Sequence, residues 1–180
     1  MNIYVMRHGT TVWNEKGVTQ GRTNNRLSQN GKILTAKVAS ELKNINFDVI
    51  YCSPLFRTVQ TANIMNKYHN KKIIKDQRLI EIDQGIFTGR AKNSLNECEL
   101  ILNEKRASKA GMESYENCYL RAKDFVEFLK KQSKYENVLV ISHNCTCSFI
   151  EDVLIGEKID FSSDSFRRRF KNAQVKSFKI

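Results

Sequence analysis

The chain lacks most of what would mark a secreted, membrane-bound or disulfide-built protein. No apolar run approaches the roughly 20 residues that cross a bilayer. The start, Met1-Asn2-Ile3-Tyr4, lacks the basic-then-apolar layout of a signal peptide. The five cysteines (Cys52, Cys98, Cys118, Cys145 and Cys147) are odd in number and contain no CxxC pair. That pattern argues against a disulfide framework or a zinc site and for reduced thiols in the cytoplasm. Cys145-x-Cys147 lies close enough to His143 to raise a thiol role, against the reading of cysteine as a small core residue. There is one proline, and no linker, internal repeat or low-complexity tract, so a single domain over residues 1–180 is expected. Histidine is scarce too: the three are His8, His69 and His143.

What is present is an ordinary globular composition, 41% hydrophobic and 27% charged, with an excess of basic residues. A length of 180 residues suffices for a core without disulfides or metals. The net charge of +11 calls for an anionic ligand or partner. The lysines are scattered, and the only dense cluster is Arg167-Arg168-Arg169, followed by Lys171. No zinc finger, RNP motif or aromatic-basic interleaving accompanies the charge, which argues against nucleic acid and for a solvated segment near the C-terminus. Abundant Lys, Asn and Ile beside a single proline also suggest compositional drift, which inflates charge without function.

Two of the three histidines share a context. Ile3-Tyr4-Val5-Met6 is an apolar run that leads into Arg7-His8-Gly9, and Val138-Leu139-Val140-Ile141-Ser142 delivers His143. Strands are expected over residues 2–7, 48–52, 72–75, 137–142 and about 173–179, the last alternating like a half-exposed edge. Helical patterns lie between them. Leu34, Val38 and Leu42 repeat behind a Ser28 cap. Ser53-Pro54 reads as an N-cap and first helical proline, opening a helix to about Lys67. Cys118, Ala122, Phe125 and Leu129 mark one face of a helix over about 113–132, and a helix after His143 carries Phe149 and Val153 on one side. This alternation implies a three-layer α/β/α domain with a mostly parallel mixed sheet. In such sheets ligands bind at the carboxyl edge of the strands. His8, His143 and the turn leading to Arg57 fall at that edge. Arg57, in the first turn of its helix, and Arg7 are suited to clamp a phosphoryl group with planar guanidinium forks. Taken singly, each of these residues also reads as a loop histidine, a strand-end ion pair or a surface arginine.

Together the residues resemble a known family. Arg7-His8-Gly9-Thr10-Thr11, Asn14, Gly21 and Leu27-Ser28-x-x-Gly31 look like the opening of the histidine phosphatase superfamily, the phosphoglycerate-mutase-like proteins. Ser53-Pro54-Leu55-x-Arg57-Thr58-x-Gln60-Thr61-Ala62, Leu79-x-Glu81-x-x-x-Gly85-x-x-x-Gly89, Gly111-x-Glu113-Ser114 with Arg121, and Val140-Ile141-Ser142-His143 are similar to its later blocks, in order. Asn172-Ala173 begins a stretch similar to the closing strand. The resemblance implies that His8 is the nucleophile that becomes phosphohistidine, that Arg7, Arg57 and His143 grip the phosphoryl group, and that Glu81 is the proton donor. It also points to Thr11, Asn14, Gln20, Gly21 and Asn144 as substrate-binding residues. Two nearby cations disfavour the imidazolium of His8, and its second ring nitrogen needs an acceptor to fix the tautomer. Glu81 must give a proton when the ester oxygen leaves and take one when water attacks. The cationic side chains stand where magnesium serves in other phosphoryl-transfer sites, and His8 and His143 have no zinc-ligand spacing, so no metal or cofactor is expected.

The chain departs from the family pattern at Asn24 and Arg26 (often Asp and Pro), at Phe87-Thr88 (often Trp-Glu) and at Asn144 (usually Gly, with Asn tolerating a left-handed turn). These changes touch the leaving-group side. The short stretch 90–110 between two blocks favours a phosphomonoesterase acting on a small phosphate ester over a cofactor-dependent phosphoglycerate mutase. A non-catalytic phospho-ligand or nucleic-acid binder is the alternative of another class, and the complete His8, Arg57, Glu81, His143 set argues against it. The sequence leaves the oligomeric state open.

Overall fold

The computed structural model describes residues 1–104, 110–161 and 170–180. The strands are β1 (Asn2–Arg7), β2 (Val49–Cys52), β3 (Ile73–Lys75), β4 (Asn137–Ser142) and β5 (Val175–Lys179). The described α-helices are α1 (Val12–Glu15), α2 (Gln29–Glu41), α3 (Phe56–Met65), α4 (Glu97–Glu104), α5 (Tyr115–Lys130) and α6 (Asn144–Ile155). The sheet order is β3-β2-β4-β1-β5. All neighbours are parallel except β5, which pairs antiparallel with β1 at the edge. The expected mixed α/β architecture is therefore present.

Strand alternation builds the layers, because successive side chains leave a strand on opposite faces. Ile3, Val5, Val49, Tyr51, Val138 and Val140 pack with Cys118, Ala122, Phe125 and Leu129 of α5 and Phe149 and Ile150 of α6. Met6, Ile50, Cys52, Leu139 and Ile141 face the other way, onto Ala39 of α2 and Ala62 and Met65 of α3. Phe47 closes that second core, edge-on to Tyr4.

Three expectations need correction. The buried stripe of α2 is Gly31, Thr35 and Ala39, whereas Leu34 is 39% exposed. The reason is close approach: a Cβ at Gly31 would meet the Thr10 carbonyl oxygen at 1.9 Å, so only a small-residue face can lie there. The Ser28 cap itself is present, its hydroxyl accepting from the Gly31 N–H at 3.0 Å. The helix expected from Ser53-Pro54 to Lys67 is α3, which starts at Phe56 and ends at Met65, with a 3-10 turn over Asn66–Tyr68. The closing strand starts at Val175, because Ala173 is left-handed (φ 58°) and turns the chain inward. The Arg167-Arg168-Arg169 cluster lies outside the described residues. None of the five cysteines is in a disulfide. No described helix is long and apolar enough to cross a membrane.

Candidate active site

Adjacent parallel strands deliver the two histidines. Arg7 lies opposite Ser142 in the β1–β4 register, and the His8 N–H donates to the Ser142 carbonyl at 3.0 Å. His8 and His143 are thus the first residues beyond a shared ladder. Their ring centroids are 5.2 Å apart, edge to face, close to the interstrand spacing of about 4.8 Å.

The hydrogen bonds define both tautomers. Nδ1 of His8 lies 2.6 Å from the Gly9 carbonyl, so it carries the proton and donates. Nε2 is left with a lone pair, and Arg57 Nε–H points at it from 3.2 Å. The same N–H lies 3.1 Å from Nδ1 of His143, which must also be an acceptor. Nε2 of His143 then holds its proton and donates to the Ser53 hydroxyl at 2.8 Å. Burial holds both imidazoles well below the usual pKa of 6.5, and the Arg57 and Arg7 charges push in the same direction. The acceptor that sequence reasoning required for His8 is therefore the carbonyl of the next residue.

Arg57 is 1% exposed and is fixed at every nitrogen. Its two terminal nitrogens donate to the carbonyls of Thr23, at 2.7 Å, and Gly21, at 2.8 Å. Burial lowers its pKa to about 10, which keeps it a cation at neutral pH. Ser53 does not cap α3. Its hydroxyl accepts from His143, and the Phe56 N–H is satisfied by Asn24 Oδ1, at 3.1 Å, from another loop. Asn24, which departs from the family pattern, thus does the capping that the sequence seemed to assign to Ser53.

Arg7 donates to the Phe170 carbonyl at 2.8 Å, and the Phe170 N–H donates to Asn144 Oδ1 at 3.3 Å. Asn144 is the first residue of α6 and is not among the residues with a left-handed backbone. The left-handed turn considered for it is absent. What an amide adds there, where the family usually has glycine, is a brace for the segment that holds Arg7.

A cleft of about 190 Å³ opens at this edge. Arg7, His8, Arg57, Glu81, Asn14, Gln20, Gly21 and Asn144 line it. Thr11 and His143, both 0% exposed, lie behind the wall. Thr11 caps α1 and donates to Gln20 Oε1 at 2.9 Å, and its N–H donates to Asn14 Oδ1 at 3.1 Å. Asn172 also donates to Asn14 Oδ1, at 3.2 Å. With their carbonyl oxygens engaged, Asn14 and Gln20 present N–H donors to a ligand. Glu81 is half-buried, its carboxylate accepting from the Ile82 N–H at 2.9 Å. Cys145, for which the sequence raised a thiol role, also lines the cleft, as do Trp13, Val18 and Gln84, which were not foreseen as site residues. Val18 and Gln84 sit on loops and Trp13 on the one-turn helix α1, where no periodicity marks them. Both Cys145 and Cys147 are buried with the core, and Cys147 does not line the cleft. Among the described residues, no group of three or more His, Cys, Asp or Glu side chains could hold a metal ion.

A neutral imidazole at the wall of a cleft, with two guanidiniums and a carboxyl beside it, can accept and release a phosphoryl group. Comparison with known proteins points the same way. A family model, the histidine phosphatase superfamily (branch 1), matches residues 3–180. Phosphoserine phosphatase 1 of Hydrogenobacter thermophilus is 32% identical over 87% of this chain and 77% of its own. A probable phosphoglycerate mutase, GpmB, of Enterobacter sp. is 26% identical over 87% of this chain and 75% of its own. The crystal structure of a putative alpha-ribazole-5'-P phosphatase from Escherichia coli superposes with a TM-score of 0.87 at 22% identity, covering 100% of this chain and 91% of that one. The matched length, the order of the motifs and the shared fold together show that this chain belongs to the histidine phosphatase superfamily.

Proposed function

We propose that the protein is a phosphomonoester hydrolase that works through a phosphohistidine at His8 and acts on a small phosphorylated metabolite. The observation that carries this reading is the fixed tautomer of His8, whose proton is committed to the Gly9 carbonyl and whose Nε2 lone pair meets the cleft beside Arg57. Nε2 attacks phosphorus, and the imidazolium charge that develops is shared with the Gly9 carbonyl through Nδ1–H. Arg57 Nε–H, shared between two imidazoles at rest, loses the His8 lone pair once that bond forms and is released towards a phosphoryl oxygen. Arg7 supplies the second guanidinium, and His143 backs Arg57 against the same group. Glu81 gives its proton to the departing alkoxide. Its carboxylate then takes a proton from the water that attacks phosphorus, releasing inorganic phosphate and restoring His8. Asn14, Gln20, Gly21 and Asn144 border the substrate, and Thr11 holds two of them in place.

Similarity to GpmB supports a second reading, a phosphoglycerate mutase. A mutase must also hold a second phosphate, and Arg7 and Arg57 are the cations among the described lining residues. This favours hydrolysis. The test is a panel of phosphomonoesters assayed for released phosphate, with excess EDTA and with or without bisphosphoglycerate. Hydrolysis that persists in EDTA is expected. Phosphoryl exchange between glycerate positions that depends on bisphosphoglycerate, without phosphate release, would establish the mutase instead.

A further inference from the structure

The residues from Arg78 to Glu81 carry no regular strand or α-helix into the site, yet each of their four carbonyls is held by a side chain from elsewhere. Arg121 donates to the carbonyls of Arg78 and Ile80. Ser142 donates to Leu79 at 2.7 Å, and Thr146 to Ile80 at 2.8 Å. Arg22 Nε donates to Glu81 itself at 3.0 Å. Among the described residues, the Glu81 carboxylate has only a local hydrogen bond, to the Ile82 N–H, so its position in the cleft follows the pose of its backbone.

Arg22 holds a particular place in this scaffold. One terminal nitrogen lies 3.1 Å from Glu113 and the other 3.6 Å from Asp83. Glu113 in turn grips Arg121 through two bonds, at 3.0 and 3.1 Å. Meanwhile the carbonyls on either side of Arg22, those of Gly21 and Thr23, are the acceptors that fix the Arg57 guanidinium. One tripeptide therefore holds the phosphoryl clamp by its backbone and the acid-bearing segment by its side chain.

We infer that Arg22 is a positioning residue that sets the reach of Glu81 to the leaving oxygen relative to a phosphoryl group held by Arg57. The inference rests on the role proposed for Glu81. A guanidinium suits the task because its planar fork binds a carbonyl and two carboxylates at fixed angles, which an ammonium cannot reproduce. Arg22 itself does not line the cleft. Its loss leaves Arg57, His8 and the Gly21 and Thr23 carbonyls in place and lets the Glu81 segment drift. A displacement of about 1 Å can cost about 10²-fold in rate.

The experiment measures the burst of phosphohistidine formation from an alkyl phosphate and from p-nitrophenyl phosphate, whose leaving group departs without a proton. The proteins compared are the wild type, Arg22→Met, Glu81→Gln and the double variant. Arg22→Met is expected to slow the alkyl burst by about 10–100-fold and the nitrophenyl burst much less. Adding it to Glu81→Gln should change the alkyl burst little, because the acid it serves is already gone. Arg22→Lys, which keeps the charge but not the fork, should fall between, and it supplies the readout if Arg22→Met does not fold. Equal slowing of both esters, or effects that multiply with those of Glu81→Gln, would show that Arg22 only braces the loop under Arg57 and would overturn the inference. So would no effect at all. If Glu81→Gln is itself unselective between the esters, the acid assignment fails and the inference falls with it. If Glu81→Gln is selective and Arg22→Met is not, only the role of Arg22 is lost.

Discussion

The two sides of the cleft are built differently. On the proposed phosphoryl side, His8, Arg57 and His143 are at most 3% exposed, and each is tied to the sheet or to another member of the group. On the proposed leaving-group side, Gln20, Gln84 and Glu81 sit half-buried on loops and short turns and Asn14 on the one-turn helix α1. The buried side is determined by strand ends that the core must place correctly for the protein to fold at all. The other side can change residue by residue without disturbing that core. A chain built this way can keep one chemistry while its substrate changes, which fits a chain whose relatives are named both as phosphatases and as mutases.

The comparison can be broken at several points. The largest effect is expected from His8→Ala, where acid-labile, base-stable phosphoryl labelling should vanish. Equal labelling of both proteins would remove His8 as the nucleophile. Next is Arg57→Ala, which takes away stabilisation of the phosphoryl group itself. Both alkyl and nitrophenyl esters should slow alike, by about 10²–10³-fold. A loss confined to the alkyl ester would move Arg57 to the leaving-group side. Ser53→Ala removes the hydroxyl that accepts the His143 Nε2 proton, a bond worth about 1 kcal/mol, and should slow both bursts by several-fold. An unchanged burst would show that His143 needs no partner behind it.

The smallest effect is on stability. His8 and His143 have folded pKa values below their unfolded value of about 6.5. Above that pH neither state is protonated and neither residue costs stability. As pH falls below 6.5 the unfolded chain binds protons that the buried imidazoles refuse, so stability should decline with falling pH until the folded values are reached. Urea midpoints measured across this window should fall less steeply for His143→Asn than for the wild type. An identical slope would mean that His143 is not held neutral by the fold.

The sequence made the buried side readable for a physical reason. Apolar β-branched runs end where polar residues begin, so β1 and β4 and their terminal histidines stand out. Arg57 was legible because a proline marks a helix start, although that start is at Phe56 and its cap comes from Asn24. Ser53 was misread because a serine before proline has the same pattern whether it caps a helix or serves a histidine. The α2 face was misread at Leu34, which outranks Gly31 and Thr35 in hydrophobicity while close approach to Thr10 decides the packing; Val38 and Leu42 do pack against the core. Trp13, Val18 and Gln84 carry no period, and only the folded loops bring them to the cleft.

The ladder between β1 and β4 has a consequence for how the protein is assembled. The two imidazoles face each other only because Arg7 pairs with Ser142 and no other residue. A slip of one residue between these strands would turn one ring to the opposite face of the sheet and exchange the residues that face its two cores. With His8 as the proposed nucleophile, competence to form phosphohistidine therefore gauges register. In a refolded sample, the burst amplitude would count the molecules whose central strands have zipped together correctly, a distinction that helix content or compactness would miss.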